Sequence, residues 1–482
     1  MDTDTGTSRT LAGSLGVGSI VFMVVAAAAP LTVIGGAVPL GIALGNGAGI
    51  PATFILCCAI LLLFAVGFCA MTRHVPDAGA FYTYIRSGLG RTVGLGSAFL
   101  ALATYTAVQL AVYGYLGAIA QGLVQHYGGP MLPWWVYSSA ALLLVAVLGY
   151  RRIELSSKVL GVLLTCEVGI VLVFDLVVNV HGGAAGVSTA FVRPSAIGSG
   201  SLGIALMFAM ASFLGFEATA VYRDEARDPN RTVPRATYLA LLLIGGFYAL
   251  SSWSVVSAWG DHAVVAEATA HPGDMLISTV GRYLGSTGGD VVQVLLISSI
   301  FAAILSFHNV VTRYAFSLGN GGGLPAGFGR SHHRHGSPHV ASLAQTASAV
   351  ALLVIFVVAR LDPVTQVFSW MAGTATLGVL VLMSLACLAV IVFFRRTRVD
   401  TRRWHTVLAP GLGLAGLLTC LALTVANFPL LIGGSRGLAL GIEAVLVAFF
   451  ALGGAVALLA RRGRTPAGRT TYPLHTELEE LA

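Results

Sequence analysis

Apolar runs of about twenty residues alternate with short polar segments along the whole chain. A helix rises about 1.5 Å per residue, so roughly 20 apolar residues cross the ~30 Å hydrocarbon core of a bilayer. Twelve such spans are marked by the pattern: about 14–44, 50–72, 93–123, 131–150, 156–180, 201–222, 236–259, 290–318, 340–360, 364–394, 405–427 and 437–460. Several exceed the minimum, so they must tilt, break or extend beyond the membrane. The loops between them leave no room for a soluble domain. The pattern predicts an all-α integral membrane protein of twelve transmembrane helices.

Two spans carry interruptions. In span 1, Ala28, Ala29, Pro30 and Thr32 follow one another within Ala26–Thr32, and Gly35 and Gly36 come next. Proline donates no backbone hydrogen bond and clashes with the preceding turn, which places a break at about Ala28–Thr32. In span 6, Ser212, Phe213, Leu214, Gly215 and Phe216 lead into a carboxylate, Glu217. A charged group within a span faces a polar cavity or a partner. Irregular backbone at that depth is tolerated where something else satisfies it. Spans 1 and 6 are five apart, so a unit of five helices repeats with inverted orientation, a discontinuous helix leading each half. The expected units are a cytoplasmic N-terminus at 1–13, a first five-helix repeat at 14–180, a second, inverted one at 201–394, two peripheral helices at 405–460 and a cytoplasmic tail at 461–482.

Composition agrees with the hydropathy. Of 482 residues, 56% are apolar and 10% charged, against about 25% charged in a soluble domain. If the N-terminus is cytoplasmic, 23 of the 27 basic residues fall on the cytoplasmic side, and only Arg193, Arg282, Arg360 and Arg436 fall outside. That bias predicts both termini in the cytoplasm and a place in the cytoplasmic (inner) membrane. It also accounts for the net charge of +7 through topology and lipid headgroups, so no nucleic acid partner is expected. The polar residues 1–10 and the length of span 1 argue against a cleavable signal. All six cysteines lie in spans without metal-site spacing and read as small packing residues. The glycine-rich loop after span 8 lacks the Lys-Ser/Thr ending of a phosphate loop. The cluster His332, His333, His335 and His339 lacks ordered ligand spacing. No cofactor or metal is expected.

Three segments carry a family likeness: residues 75–90 (VPDAGAFYTYIRSGLG), the stretch from Ser212 to Ala236 (SFLGFEATAVYRDEARDPNRTVPRA) and residues 312–325 (TRYAFSLGNGGGLP). In this order, over nearly all the spans, the chain resembles amino acid permeases of the amino acid–polyamine–organocation (APC) family. The resemblance implies a LeuT-like fold of two inverted five-helix repeats plus two peripheral helices. It also implies that the breaks in spans 1 and 6 bind the carboxylate and amino groups of the substrate. Span 1 departs from the Gly-Ser-Gly break of many relatives, having AAPLT followed by Gly35-Gly36.

A helix start favours anions and a helix end favours cations. The start of the outer half of span 1, about Thr32–Gly36, would therefore face a carboxylate, and Ser212–Leu214 an ammonium; the plainer reading of Pro30 is a packing kink. Glu217 is either a proton-linked gate or a structural acceptor. Glu167 in span 5 occupies a region where some proton-coupled relatives carry a lysine in place of a sodium ion; it binds a proton, helps hold Na⁺, or pairs structurally. His308, where relatives place a wall of a cation site, is a coupling candidate or a satisfied buried histidine. Tyr105 and Trp370 are candidate lids or ordinary packing, as are Phe213 and Phe216. Asp175 and Glu443 lie toward the outer ends of their spans and read as wetted.

The function expected is secondary active transport of an amino acid or related amine by alternating access, driven by proton symport; exchange is the alternative mode. One charge crossing 100 mV is worth about 2.3 kcal/mol, enough for roughly fiftyfold accumulation. A non-transporting membrane sensor would need a signalling domain that the short termini do not supply. An enzyme would need clustered catalytic groups, and the intramembrane acids are scattered.

Overall fold

The computed structural model describes residues 15–75, 80–151, 157–332 and 336–462. The N-terminal segment 1–13, most of the tail 461–482, residues 76–79 of the first family-like segment, Arg152, and His333 and His335 of the histidine cluster lie outside the described residues. Among the described residues the chain is helical and forms no β-strand. Ten helices are long and apolar enough to cross a membrane, which makes this a multi-pass membrane protein.

The numbering of the apolar runs carries over to the helices. Span 1 is Val17–Ala27 followed by short α- and π-helical pieces from Pro30–Thr32 to Gly41–Asn46. Non-helical backbone at Gly45 and a positive φ of 58° at Gly47 separate it from span 2, Ile50–Thr72. Spans 3, 4 and 5 are Arg91–His126, Trp134–Arg151 and Ser157–His181. Span 6 begins as Leu202–Ala211 and resumes as Ala218–Val221. Spans 7, 8 and 9 are Pro229–Trp259, Met275–Asn320 and His339–Val358. Span 10 joins a π-helical start, Pro363–Phe368, to Ser369–Thr397. Spans 11 and 12 are Ala409–Leu431, led in by Trp404–Leu408, and Arg436–Arg462.

Local chemistry sets many of these boundaries. Asp362 caps span 10 by accepting from the N–H groups of Val364 and Thr365 at 3.0 and 2.7 Å, which satisfies two donors that a helix start leaves orphaned. Proline occupies an early position in spans 2, 7 and 10, where its missing N–H costs nothing. Spans 4, 5, 9 and 12 expose rows of leucine and valine, including Leu143, Leu176, Val358 and Leu459. Such contiguous apolar faces suit lipid, not water. Close approach elsewhere relies on small residues: a Cβ at Gly413 of span 11 would stand 2.9 Å from the Phe64 backbone nitrogen of span 2.

Spans 1 and 6 run antiparallel and are tied together at both ends. Near one end, Leu15 donates its N–H to Glu225 O at 2.9 Å and accepts from Arg227 N–H at 3.0 Å. Near the other, Ser201 donates its N–H to Gly45 O at 2.9 Å, and the Ser199 hydroxyl donates to Asn46 O at 3.1 Å. Between these two clasps both helices lose their regular backbone.

Candidate functional site

The break in span 1 is a single left-handed residue. Ala29 has φ 46° and ψ 66°, a region that L-residues other than Gly, Asn and Asp rarely occupy. Pro30 then starts the second half of the span. The Thr32 and Val33 N–H groups fold back onto Ala29 O at 2.9 and 3.3 Å. The second half therefore begins two residues earlier than Thr32, and these two donors are already engaged. The Ala28 carbonyl is held from outside the span by the Tyr248 hydroxyl of span 7 at 3.3 Å.

In span 6 the backbone changes to tight three-residue turns after Ala211, with Phe213 N–H donating to Met210 O and Leu214 N–H to Ala211 O, each at 3.2 Å. Gly215 has φ 105°, where only glycine sits without strain. The two irregular segments meet: a Cβ at Gly215 would lie 3.8 Å from the Ala27 carbonyl carbon.

A partly open cavity lies between these breaks. Span 1 lines it with Ala27, Ala28, Ala29, Thr32, Val33 and Ala37, and span 6 with Phe208, Ala211, Ser212 and Leu214. Spans 3, 8 and 10 close it with Val108, Ala111, Val112, Ala303, Phe307, Phe368, Ala372 and Ala375. No charged side chain lines it. The Ser212 hydroxyl spends its proton on Phe208 O at 2.7 Å, so its oxygen can only accept from a bound molecule.

Of the residues singled out in the sequence, Ala28, Ala29, Thr32, Ser212 and Leu214 line this cavity. Pro30, Gly35 and Gly36 do not. Gly36 packs under Phe368 and Tyr115, where a Cβ would come within 3.1 Å of each. Phe213 packs on Tyr248 and Phe216 on Phe64, with ring centroids 6.1 and 5.9 Å apart. The aromatic residues that do line the cavity are Phe208, Phe307 and Phe368. Trp370 lies two residues beyond Phe368 and is not among the lining residues.

Glu217 sits beside the cavity and closes the break. It is 5% exposed. Its Oε2 accepts from the Gly215 N–H at 2.9 Å, and its Oε1 accepts from the Tyr105 hydroxyl at 2.6 Å. Tyr105 in turn stacks near Phe307 at 6.2 Å. Glu167 lies in a smaller adjoining cavity with Ala26, Ser298 and Ser299. The Thr32 and Ser299 hydroxyls are 3.3 Å apart, so a hydroxyl pair separates the Glu167 cavity from the central one. His308 faces away from both: it meets Ser342 at 2.9 Å and Gln109 at 3.5 Å. Gln109 also accepts from Gln345 at 2.6 Å, completing a polar network among spans 3, 8 and 9.

The reading of Asp175 as wetted is corrected. It is 2% exposed, buried against span 7. Tyr248, Phe307 and Phe368 are site residues that sequence reasoning missed; only the hydroxyl of Tyr248 inside an apolar span was a signal. Among the described residues no cluster of three or more His, Cys, Asp or Glu could hold a metal ion.

The chain matches the family described as amino acid permease over residues 15–454. It is 24% identical over 316 residues to the low-affinity putrescine importer PlaP of Escherichia coli strain K12, covering 64% of this chain and 67% of the relative. It is 25% identical over 329 residues to the lysine-specific permease LysP of Lactococcus lactis, covering 62% and 60%. To the branched-chain amino acid permease BcaP of Bacillus subtilis it is 22% identical over 317 residues, covering 61% and 65%.

Proposed function

Because the chain belongs to the amino acid permease family, we propose that it is a secondary active transporter whose substrate binds between the broken halves of spans 1 and 6. The observation that carries this reading is the pair of facing breaks, at Ala28–Ala29 and Ser212–Gly215, opening on one cavity. Twelve spans follow if Val17–Thr72 counts as two, reversing at Gly45–Gly47, and if Leu202–Ala211 with Ala218–Val221 counts as one. Two inverted repeats of five helices, with spans 11 and 12 peripheral, fit the antiparallel pairing of spans 1 and 6. The charge bias supports a reading with both termini in the cytoplasm and the protein in the inner membrane.

The lining narrows the substrate. A zwitterion can place its ammonium against the Ser212 oxygen and the carbonyls at the end of Leu202–Ala211, and its carboxylate toward the helix start at Pro30. A second ammonium, as in a diamine or lysine, would meet only Ala, Val, Leu and Phe side chains besides Thr32 and Ser212. Burying an unpaired charge costs several kcal/mol. We therefore assign a neutral amino acid with an apolar side chain.

Glu217 links the site to protons. As the carboxylate it holds the Gly215 turn and Tyr105 together. On protonation one of these acceptor bonds weakens, which gives the broken helix two arrangements. Glu167 is the second candidate, one hydroxyl pair away from the cavity. Flux of labelled leucine into proteoliposomes under an imposed pH gradient tests the reading. Saturable uptake, stimulated by an inward proton gradient, supports it; no flux for any neutral amino acid or amine, under pH or sodium gradients, overturns it.

A further inference from the structure

Away from the cavity, spans 5 and 7 enclose a polar cluster whose hydrogen bonds do not close. The Ser251 hydroxyl donates to Asp175 Oδ2 at 2.8 Å. The Asn179 amide nitrogen donates to the Asp175 backbone oxygen at 2.7 Å and to Ser254 Oγ at 3.0 Å. Ser254 gives its own proton to Leu250 O at 3.1 Å, so it must accept from Asn179. Both amide protons are therefore spent, and rotating the amide by 180° would sacrifice two bonds. Two buried atoms are left without a partner: Asp175 Oδ1 and Asn179 Oδ1.

Both orphans are acceptors, four residues apart on one helix, where side chains are neighbours. Two buried acceptors at this spacing would both be satisfied by one hydrogen shared between them. A hard metal cation would need about six oxygens, more than this cluster supplies. Among the described residues Asp175 forms no salt bridge. On span 5 the other titratable groups are Lys158 at its start, exposed Cys166, Glu167 two turns away, and exposed His181. Span 1 has none. Span 7 brings Tyr248 on the Glu167 side and Asp261 at its far end. Span 8 brings Tyr283, whose hydroxyl bonds Ala258 O, and Arg282, which lies over Trp259.

We infer that Asp175 and Asn179 form a proton-binding site separate from Glu217 and Glu167, in which a protonated Asp175 Oδ1 donates to Asn179 Oδ1. Polar groups mark the way in. Ser251, Ser254 and Ser257 are buried at three-residue spacing along span 7. Ser257 Oγ accepts from Ser188 N–H at 3.1 Å, and the Ser188 hydroxyl donates to Asp261 at 2.5 Å. Asp261, paired with Arg193, is partly exposed. The site thus faces the membrane side that carries Asp261.

Infrared difference spectra of the full-length protein in lipid at neutral pH test this directly. Wild type minus Asp175→Asn should show loss of a carboxylic-acid C=O band. Asn179→Leu should keep the band but move it to higher frequency, because the acceptor has gone; this variant serves if the first does not fold. Loss of a carboxylate band in the first difference overturns the proposal. So does disappearance of the acid band when sodium chloride is added at fixed pH, which would make the occupant a metal cation.

Discussion

The Tyr105 hydroxyl of span 3 donates to Glu217 Oε1 of span 6 at 2.6 Å, while the other carboxylate oxygen holds the Gly215 N–H at 2.9 Å. One side chain thus joins a scaffold helix to the turn that shapes the cavity. Removing a partner from a buried polar pair costs about 1–3 kcal/mol. Tyr105→Phe should lower the thermal unfolding midpoint in detergent. Glu217→Gln keeps an acceptor oxygen and should bind substrate nearly as well, yet flatten the pH dependence of uptake. An unchanged pH profile in Glu217→Gln would remove its proposed proton role.

Ala29 is the strained residue at the heart of span 1. A left-handed conformation costs an L-residue about 1–2 kcal/mol, and part of that is recovered if glycine replaces it. Ala29→Gly should therefore unfold at an equal or higher temperature than wild type, whereas Ala29→Val should unfold lower. Thermal melts of the two variants in one detergent decide it; equal destabilisation by both would show that the backbone there is not under strain.

Gly215 distinguishes conformation from bulk. A Cβ there has 3.8 Å of clearance, yet φ is 105°. Gly215→Ala should impair uptake at least several-fold because the turn must change, not because space is short. Gly215→Trp should abolish uptake. Wild-type rates in Gly215→Ala would mean that the turn is not required.

Outside the membrane, Asp400 forms a two-pronged pair with Arg402, Nη2 to Oδ2 at 2.6 Å, and accepts the Arg402 N–H at 2.9 Å. These bonds hold its carboxyl at about 2, below the usual ~3.9. The stabilisation is thus complete above about pH 4 and is lost as pH falls toward 2. Protection of the Arg402 amide against hydrogen exchange, relative to its intrinsic rate at each pH, should fall across that window in wild type and be absent throughout in Asp400→Ala.

Much of this was legible in the sequence for physical reasons. Hydropathy marks spans because the bilayer demands them. Gly215 could be singled out because a glycine between phenylalanines in an apolar helix has no packing role, and Pro30 because it cannot continue a helix; the left-handed residue is its neighbour, Ala29. Side-chain direction was not legible. Where every face of a helix is apolar, composition does not reveal its rotation, so Phe213 and Phe216 turn outward from the cavity while Phe307 and Phe368 turn in. Asp175 shows the same limit: its position along span 5 suggested water, but its face meets Ser251. The Tyr105–Glu217 bond spans 112 positions, and no local pattern announces it.

The lining predicts selectivity. Leucine or another neutral apolar amino acid should compete with labelled substrate, whereas putrescine and lysine should compete at least tenfold less well, about 1.4 kcal/mol. Ala372→Asp, which adds a carboxylate to the wall, should narrow that gap. Equal competition by putrescine in wild type would contradict a neutral-substrate cavity.

The most direct measurement is substrate protection at the break in span 6. With the native cysteines replaced, Ser212→Cys is treated with a small thiol reagent in the presence and absence of a substrate shown to be transported. A molecule seated between Ala28–Ala29 and Ser212–Leu214 must cover this thiol, so saturating substrate should slow its modification several-fold. An unchanged rate at saturation would place the substrate elsewhere.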